Sequence, residues 1–347
     1  MKALTAALAA FLIVGAAPAA LAAGKTAKAA PAAKAEPAAP SAPLPIEPLA
    51  AALQSYAAFQ ADIDLVNGGS IQGPKDIERA LDKAAALDRD SLTRGFIAYG
   101  ALTAARNQQF VDEVRKVAAA YGKDRVLNAL IKNGNYAGTI TGGSTATEYV
   151  IRAAAADAAR VAEAGDRVKS RAREAQNLKW GKALSGAAAP RMTRLKQMAA
   201  ASAGPGRALP PEQAERLKIV PGDPSSDPAS FGGAAFWRTF ANNASTATLT
   251  SLPTQTQNFA WADNSGGASI RSSMLTLAAM YALDATQDRP AATDAALNDR
   301  ATNGCLRGAQ LQFYQCVATA HFNYENMACI GEAGFNTVAG CFSDAAK

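Results

Sequence analysis

The stretch CLRGAQLQFYQCVATAHFNYENMACIGEAGFNTVAGC, residues 305–341, decides the fold of this chain. It begins and ends on cysteine and contains Cys316 and Cys329, so all four cysteines of the chain lie within it. Its first half carries apolar residues every three or four positions, at Leu306, Ala309, Phe313 and Val317. This spacing is typical of one face of an α-helix and predicts a helix from Gly304 to about His321.

The predicted helix restricts how the cysteines can pair. Cys305 and Cys316 are eleven residues apart, which places them about 16 Å apart along a helix axis. A disulfide requires Cα atoms within about 7 Å, so these two cysteines cannot pair with each other. A second apolar series, typical of a returning helix, consists of Met327, Ile330, Phe335, Val338 and Phe342.

The pairs Cys316–Cys329 and Cys305–Cys341 share one centre, at the turn expected near residues 322–324. The sequence therefore favours a disulfide-stapled antiparallel helical hairpin with these two nested disulfides. The crossed pairing, Cys305–Cys329 with Cys316–Cys341, has no common centre and is the alternative. The layout resembles the cysteine-stapled helical hairpins of twin-CxnC proteins, with ten and eleven residues inside the two CxnC units here.

Two further features of the hairpin bear on its structure. Three glycines, Gly331, Gly334 and Gly340, predict a kink in the returning helix. A zinc site formed by Cys316, His321 and Cys329 matches no closed zinc pattern, and an oxidising compartment competes for the thiols. The hairpin is thus interpreted as structural, without metal.

The N-terminal sequence predicts export. Lys2 precedes a short apolar run over residues 6–17, and small residues follow at 20–22, so residues 1–22 are expected to be a signal peptide. The run is shorter than the ~20 residues of a membrane span; an uncleaved N-terminal anchor is the alternative. Residues 23–46 consist largely of Ala, Pro and Lys, which is typical of a disordered tether. The predicted location is periplasmic or secreted.

The remaining sequence predicts an all-α protein. Alanine supplies 86 of the 347 residues, and apolar positions recur at helical spacing over residues 47–201, predicting an alanine-rich helical bundle or array. Residues 202–235 are rich in Pro, Gly and Ser and predict a linker. Residues 236–347 are expected to form a C-terminal helical domain that holds the cysteines.

The net charge of +6 arises from one segment. Residues 166–207 hold ten Lys and Arg against only Asp166 and Glu174, a net charge of +8. The envelope offers lipid phosphate, lipopolysaccharide and peptidoglycan as polyanions, whereas nucleic acid does not fit that compartment, so an anionic envelope surface is the predicted partner. A solvated helix face is the alternative. The anion-binding candidates are Arg167, Lys169, Arg171, Arg173, Lys179, Lys182, Arg191, Arg194 and Lys196.

Candidate catalytic groups are few. His321 is the only histidine, which excludes mechanisms and zinc sites that need two imidazoles. A Ser-His-acid arrangement with Ser343 or Ser273 lacks a G-x-S-x-G signature. Glycoside hydrolysis requires two paired carboxylates, and pairs such as Glu325 and Glu332 have no feature beyond those of ordinary solvated acids. We therefore predict no catalytic residue, no cofactor and no metal.

Three functions are consistent with this sequence. The leading hypothesis is a non-enzymatic periplasmic or secreted cell-envelope protein that acts as a helical scaffold or binding module, with an envelope component or another envelope protein as partner. The second is an envelope hydrolase that acts on peptidoglycan or polysaccharide. The third is a peripheral binder of an anionic envelope surface through residues 166–207.

Overall fold

The computed structural model describes residues 47–67, 71–202, 237 and 268–344. Over these ranges the chain is helical and contains no β-strand, which confirms the predicted all-α class. The predicted signal peptide, tether and linker lie outside the described residues, apart from position 202 of the linker. Among the helices of the described ranges, none combines the length and hydropathy that crossing a membrane requires.

The helices are short, except for one of 33 residues. Several begin at a side chain that accepts a backbone N–H of the first turn: Asp88, Asn107 and Asp299. In chain order they are α1 (Pro48–Asn67), α2 (Pro74–Ala85), α3 (Arg89–Ala104), α4 (Gln108–Tyr121), α5 (Lys123–Lys132), α6 (Tyr136–Thr139), α7 (Gly143–Ala175), α8 (Ala188–Ser202), α9 (Ala268–Ala282), α10 (Pro290–Ala296), α11 (Arg300–Thr319), α12 (Asn323–Cys329), a π-helix (Ile330–Asn336) and α13 (Thr337–Ser343).

The core is centred on α3, which packs against α1, α7 and α9. Small residues on the inner face of α7 are buried, so this helix approaches its neighbours closely. Phe342 of α13 reaches the same core, where its ring centroid lies 4.6 Å from that of Phe96 and 5.6 Å from that of Tyr56. Helices on both sides of the predicted linker therefore share one hydrophobic core, and the linker does not separate two cores.

The C-terminal hairpin has the nested disulfides. Cys305 is bonded to Cys341 and Cys316 to Cys329, with Cα atoms 5.7 and 5.6 Å apart. The hinge, residues 320–322, connects α11 to a returning arm over residues 323–343, formed by α12, the π-helix and α13. The disulfide-stapled antiparallel helical hairpin is thus confirmed.

The returning arm adopts a π-helix where the glycines predicted a kink. At this point the arm lies in close contact with α7: a Cβ on Gly331 would lie 2.7 Å from the carbonyl oxygen of Gly165, and a Cβ on Gly165 would lie 2.6 Å from that of Gly331, so the contact requires glycine on both helices. Asp166 meets Asn336 on one side of this contact, and Lys169 meets Glu332 on the other. Because higher numbers on α7 face lower numbers on the arm, the two helices run antiparallel.

The hinge loop, residues 176–187, follows α7 and attaches to the hinge through backbone hydrogen bonds. The N–H of Ser185 donates to the carbonyl oxygen of His321 at 2.9 Å, and Leu184 pairs antiparallel with Phe322. The N–H of Tyr324 donates to the carbonyl oxygen of Gly181 at 3.2 Å. The C-terminal end of α7 is therefore held against the hinge.

Candidate functional site

An open groove of about 590 Å³ lies between α7 and the hinge of the hairpin. We call it the hinge groove. Its volume is within the roughly 300–1,000 Å³ that is usual for ligand pockets. It is lined by Lys169, Ala172, Arg173, Gln176, Cys316, Thr319, Ala320, Tyr324, Glu325, Ala328, Cys329 and Glu332.

The polar walls of the hinge groove follow from helical spacing. Lys169, Arg173 and Gln176 line it from one stretch of α7, at intervals of four and three residues. Tyr324 and Glu332 line it from the returning arm, eight residues apart. Residues three, four or eight apart lie on one face of a helix, so two polar helix faces border the groove.

Small side chains and one disulfide form the apolar part of the lining. Ala172, Ala320 and Ala328 contribute methyl groups from three different elements, and the Cys316–Cys329 disulfide lies among them. The disulfide joins α11 to α12 and so fixes the separation of two elements that border the groove. A bound molecule would contact short side chains on helices whose separation is fixed by the disulfide.

Three of the four charged groups in the groove already have partners. The ammonium group of Lys169 lies 2.7 Å from a carboxylate oxygen of Glu332 and 3.4 Å from one of Asp166. The hydrogen bond to Glu332 raises the pKa of Lys169 above its ordinary value. Arg173, one turn further along α7, is exposed and makes no hydrogen bond or ion pair with any described residue. It is the charged group of the groove that is open to a ligand.

Glu325 serves as the N-terminal cap of α12. Its carboxylate accepts the backbone N–H of His321 at 2.6 Å and that of Phe322 at 3.1 Å. Burial raises the pKa of this carboxyl, but the two backbone hydrogen bonds, a hydrogen bond from the Tyr324 hydroxyl and the charge of His321 together lower it by more, so the pKa lies below the ordinary value. Glu325 therefore stays ionised and holds the hinge in shape.

The sequence predicts an anion-binding role for Arg191, but the structure places this residue in a different role. Its side chain is buried, with 7 % of its surface exposed, and burial lowers the pKa of the guanidinium. The guanidinium donates to the carbonyl oxygens of Val317 at 2.8 Å and Ala320 at 2.7 Å, where α11 ends. It also donates to the carbonyl and hydroxyl oxygens of Ser185. Arg191 is a structural link between α8, the hinge loop and α11, and no external anion reaches it.

The other eight anion-binding candidates divide into paired and unpaired cations. Four form ion pairs with acidic side chains, at 2.7–3.1 Å: Arg167 with Glu163, Lys169 with Glu332, Arg171 with Glu174, and Arg194 with Asp82. The four that are exposed and make no hydrogen bond or ion pair with any described residue are Arg173, Lys179, Lys182 and Lys196. The sequence located the basic segment, but only the structure separates these two groups.

A second polar cluster lies inside the core, around Asp157 of α7. This carboxylate is 1 % exposed and accepts hydrogen bonds from the Tyr56 hydroxyl at 2.9 Å and from Nε1 of Trp237 at 3.2 Å. Burial and the charge of Asp157 raise the pKa of Tyr56 and Tyr99 well above the ordinary value, so both phenols remain protonated. The cluster is closed to solvent and stabilises the core.

Sequence reasoning missed Asp157, although a signal was present. Asp157 follows Ala153 by four residues and precedes Val161 by four, so it occupies a position on the buried face of α7. A carboxylate at a core position requires buried partners. The sequence does not show that those partners are Tyr56 and Trp237, which are 101 and 80 residues away.

His321 and Ser343, two of the groups considered for catalysis, lie far apart. His321 is exposed at the hinge, while Ser343 lies at the far end of the returning arm, about 30 Å away along a helix of this length. Cys316 and Cys329 are bonded to each other and offer no thiolate. In the part of the chain that the structure describes, no cluster of His, Cys, Asp and Glu could hold a metal ion.

Comparison with protein families, with curated proteins and with solved structures found no match for this chain. Its function must therefore be inferred from the chemistry of its own residues. Among the described residues, the hinge groove and the four unpaired cations offer chemistry to a partner.

Proposed function

We propose that this chain is a non-enzymatic bacterial cell-envelope protein, exported to the periplasm or secreted, that acts as a helical binding module. Export is supported by the signal-peptide pattern of residues 1–22. Two disulfides with no free cysteine are also typical of an oxidising compartment. These features concern where the protein acts; its binding role rests on the hinge groove.

The proposal rests on an open groove whose walls are held in place by several bonds. The Cys316–Cys329 disulfide, the guanidinium of Arg191 and the backbone bonds of the hinge loop all hold the groove walls. A site that is already in its binding conformation loses little conformational entropy when a ligand binds. Scaffolds of this kind suit recognition of a partner.

Export and disulfide formation can be tested in one experiment. The full chain is expressed in a bacterium, and periplasm, medium and cytoplasm are analysed by intact mass. We expect the periplasm or medium to contain a chain that has lost about its first 22 residues and has no free thiol. An uncleaved chain with four free thiols in the cytoplasm would contradict the proposal.

The enzymatic alternative is tested by zymography of the purified, oxidised protein on cell-wall and polysaccharide substrates. We expect no clearing by protein whose fold has been verified by circular dichroism. Clearing that persists in an independently purified preparation would replace the binding module with the envelope hydrolase.

A second candidate function is peripheral binding to an anionic envelope surface. The hinge loop exposes Lys179 and Lys182 beside two apolar side chains, Leu178 and Leu184, and Leu184 is 75 % exposed. Residues 175–202 contain no acidic side chain. Exposed cations beside exposed apolar side chains are typical of proteins that bind anionic lipid surfaces.

Sedimentation with vesicles of anionic or zwitterionic phospholipid tests this second candidate. We expect binding to anionic vesicles only, decreasing as salt increases. The double variant Lys179→Gln/Lys182→Gln should lose most of the binding, whereas the matched control Arg125→Gln/Lys132→Gln, on exposed positions of α5, should keep it. Binding that is insensitive to salt, or equal loss in both double variants, would reject the candidate.

A further inference from the structure

We propose that the hinge groove binds the terminal carboxylate of a short peptide with small side chains, and that Arg173 is the residue that holds this carboxylate. The inference deepens the proposed binding-module function and rests on it. The ligand class follows in three steps from the position of Arg173, the charge of the groove, and the size and polarity of its lining.

The first step is the position of Arg173. Lys169 of α7 pairs with Glu332 of the returning arm, and this ion pair occupies one end of the groove. Arg173 lies one turn further along α7, and one turn back along the antiparallel arm from Glu332 is Ala328. The arm thus provides a carboxylate for Lys169 but a methyl group at the level of Arg173. The guanidinium borders the groove without an ion pair or hydrogen bond to a described residue, although its charge acts at longer range on Asp166, seven residues back along α7.

The second step is the charge of the groove. Lys169 and Arg173 are balanced by Glu325 and Glu332, so the lining is neutral by formal charge. A polyphosphate or a densely anionic glycolipid would bring several charges close to the two glutamates, which disfavours such ligands. A single carboxylate needs one cation, and a planar guanidinium can donate two parallel hydrogen bonds to it.

The third step is the size and polarity of the lining. Ala172, Ala320 and Ala328 leave room for a peptide backbone to lie close to the groove surface. Gln176, the residue that caps the C-terminal end of α7, follows Arg173 by three residues and keeps helical backbone angles, so its side-chain amide lies beside Arg173 and offers both a donor and an acceptor to a peptide group. Small methyl side chains on the ligand match a lining of methyl groups, whereas a long lipid chain would leave this amide unsatisfied.

The test uses four labelled Ala-Ala dipeptides and fluorescence anisotropy with the oxidised, full mature chain. Two dipeptides are all-D and two are all-L; within each pair, one has a free C-terminal carboxylate and the other a C-terminal amide. We expect the acid to bind at least tenfold more tightly than the amide in at least one pair. A preference for the D acid identifies peptidoglycan stem peptides as the ligand source, and a preference for the L acid identifies protein C-termini.

Two variants link the preference to the proposed residue. Arg173→Gln should reduce the acid-to-amide ratio to about one, because the amide side chain cannot supply a positive charge. Arg125→Gln removes an exposed cation of α5 that does not line the groove, and should leave the ratio unchanged. Thermal unfolding of both variants verifies that they are folded.

Three results would overturn the groove assignment: equal binding of acid and amide, an unchanged ratio in Arg173→Gln, or no binding of any dipeptide. Each can be separated from a failure of the proposed function. A protein that is exported, oxidised and bound to anionic vesicles, yet binds no dipeptide, would retain its role as a binding module but act through the hinge loop instead of the groove.

Discussion

Helix α7 packs against the hairpin at a core end and at a hinge end, and the charged side chains at these two ends differ in burial. At the core end, Asp157 is enclosed by Tyr56 and Trp237, and the Cys305–Cys341 disulfide lies next to the core residue Phe342. At the hinge end, Arg173 borders an open groove beside the Cys316–Cys329 disulfide. One helix therefore carries a buried charge that is hydrogen-bonded within the core and an exposed charge that is accessible to a ligand.

The largest expected effect is at the core end, for Asp157→Ala. Removal of the carboxylate takes away the buried acceptor to which the Tyr56 hydroxyl, the Gln60 side-chain amide and the Trp237 indole N–H all donate, so the free energy of unfolding should fall by about 3–5 kcal/mol. Urea unfolding followed by circular dichroism measures this loss. The matched control is Asp166→Ala, an exposed carboxylate on the same helix, whose removal should cost far less stability. Equal losses in the two variants would show that the buried carboxylate contributes no more to stability than the exposed one.

The two disulfides should also differ in their contribution to stability, with the larger contribution at the core end. Loss of Cys305–Cys341, which spans 36 residues, should lower the free energy of unfolding by about 4 kcal/mol, and loss of Cys316–Cys329, which spans 13, by about 3 kcal/mol. The larger closed loop restricts the unfolded chain more, so opening it gives the unfolded state a greater gain in conformational entropy. Paired Cys→Ala variants, unfolded in urea, give both values. A greater loss from the hinge-end disulfide would show that the hinge contributes more stability than loop size predicts.

A smaller effect is expected for Arg191→Met at the hinge end. Methionine keeps much of the aliphatic length but removes the bonds to the carbonyl oxygens of Val317 and Ala320, so the loss should be about 1–3 kcal/mol. Arg194→Met is the control, because Arg194 forms only partly exposed ion pairs, and its loss should stay below about 1 kcal/mol. A result in which Arg194→Met costs more would contradict the structural role of Arg191.

The smallest effect on stability is expected for Arg173→Gln. Its side chain is exposed and makes no hydrogen bond or ion pair with any described residue, so the free energy of unfolding should change by no more than about 0.5 kcal/mol. The same urea measurement applies. A loss above 2 kcal/mol would show that Arg173 belongs to the frame of the groove, and would sharpen the comparison by assigning both ends of α7 to stability.

Much of the fold could be predicted from local patterns. The hairpin follows from covalent geometry, since cysteines eleven residues apart on one helix cannot bond to each other and nested pairs share a turn. The all-α class follows from the spacing of apolar residues. Composition predicts a linker at residues 202–235, but it does not show whether the helices before and after the linker share a core. The contact of Phe342 with Phe96 shows that they do.

The candidate site was predictable only as a region. A run of ten cations identifies residues 166–207 as basic, yet whether each cation is free depends on acids that lie far away in the sequence. Lys169 is neutralised by Glu332, and Arg191 is occupied by the end of α11. Arg173 differs from them only because Ala328 is the residue one turn before Glu332 on the opposite helix.

The sequence by itself determined the helical class and the location of the positive charge, and it favoured the nested over the crossed disulfide pairing of the hairpin. Each of these depends on spacing along the chain or on composition, which require no knowledge of distant contacts. The tertiary structure decided which charges are buried, which are paired and which border the hinge groove. Those outcomes depend on the antiparallel packing of α7 against the returning arm, where Gly165 and Gly331 allow two backbones to approach closely.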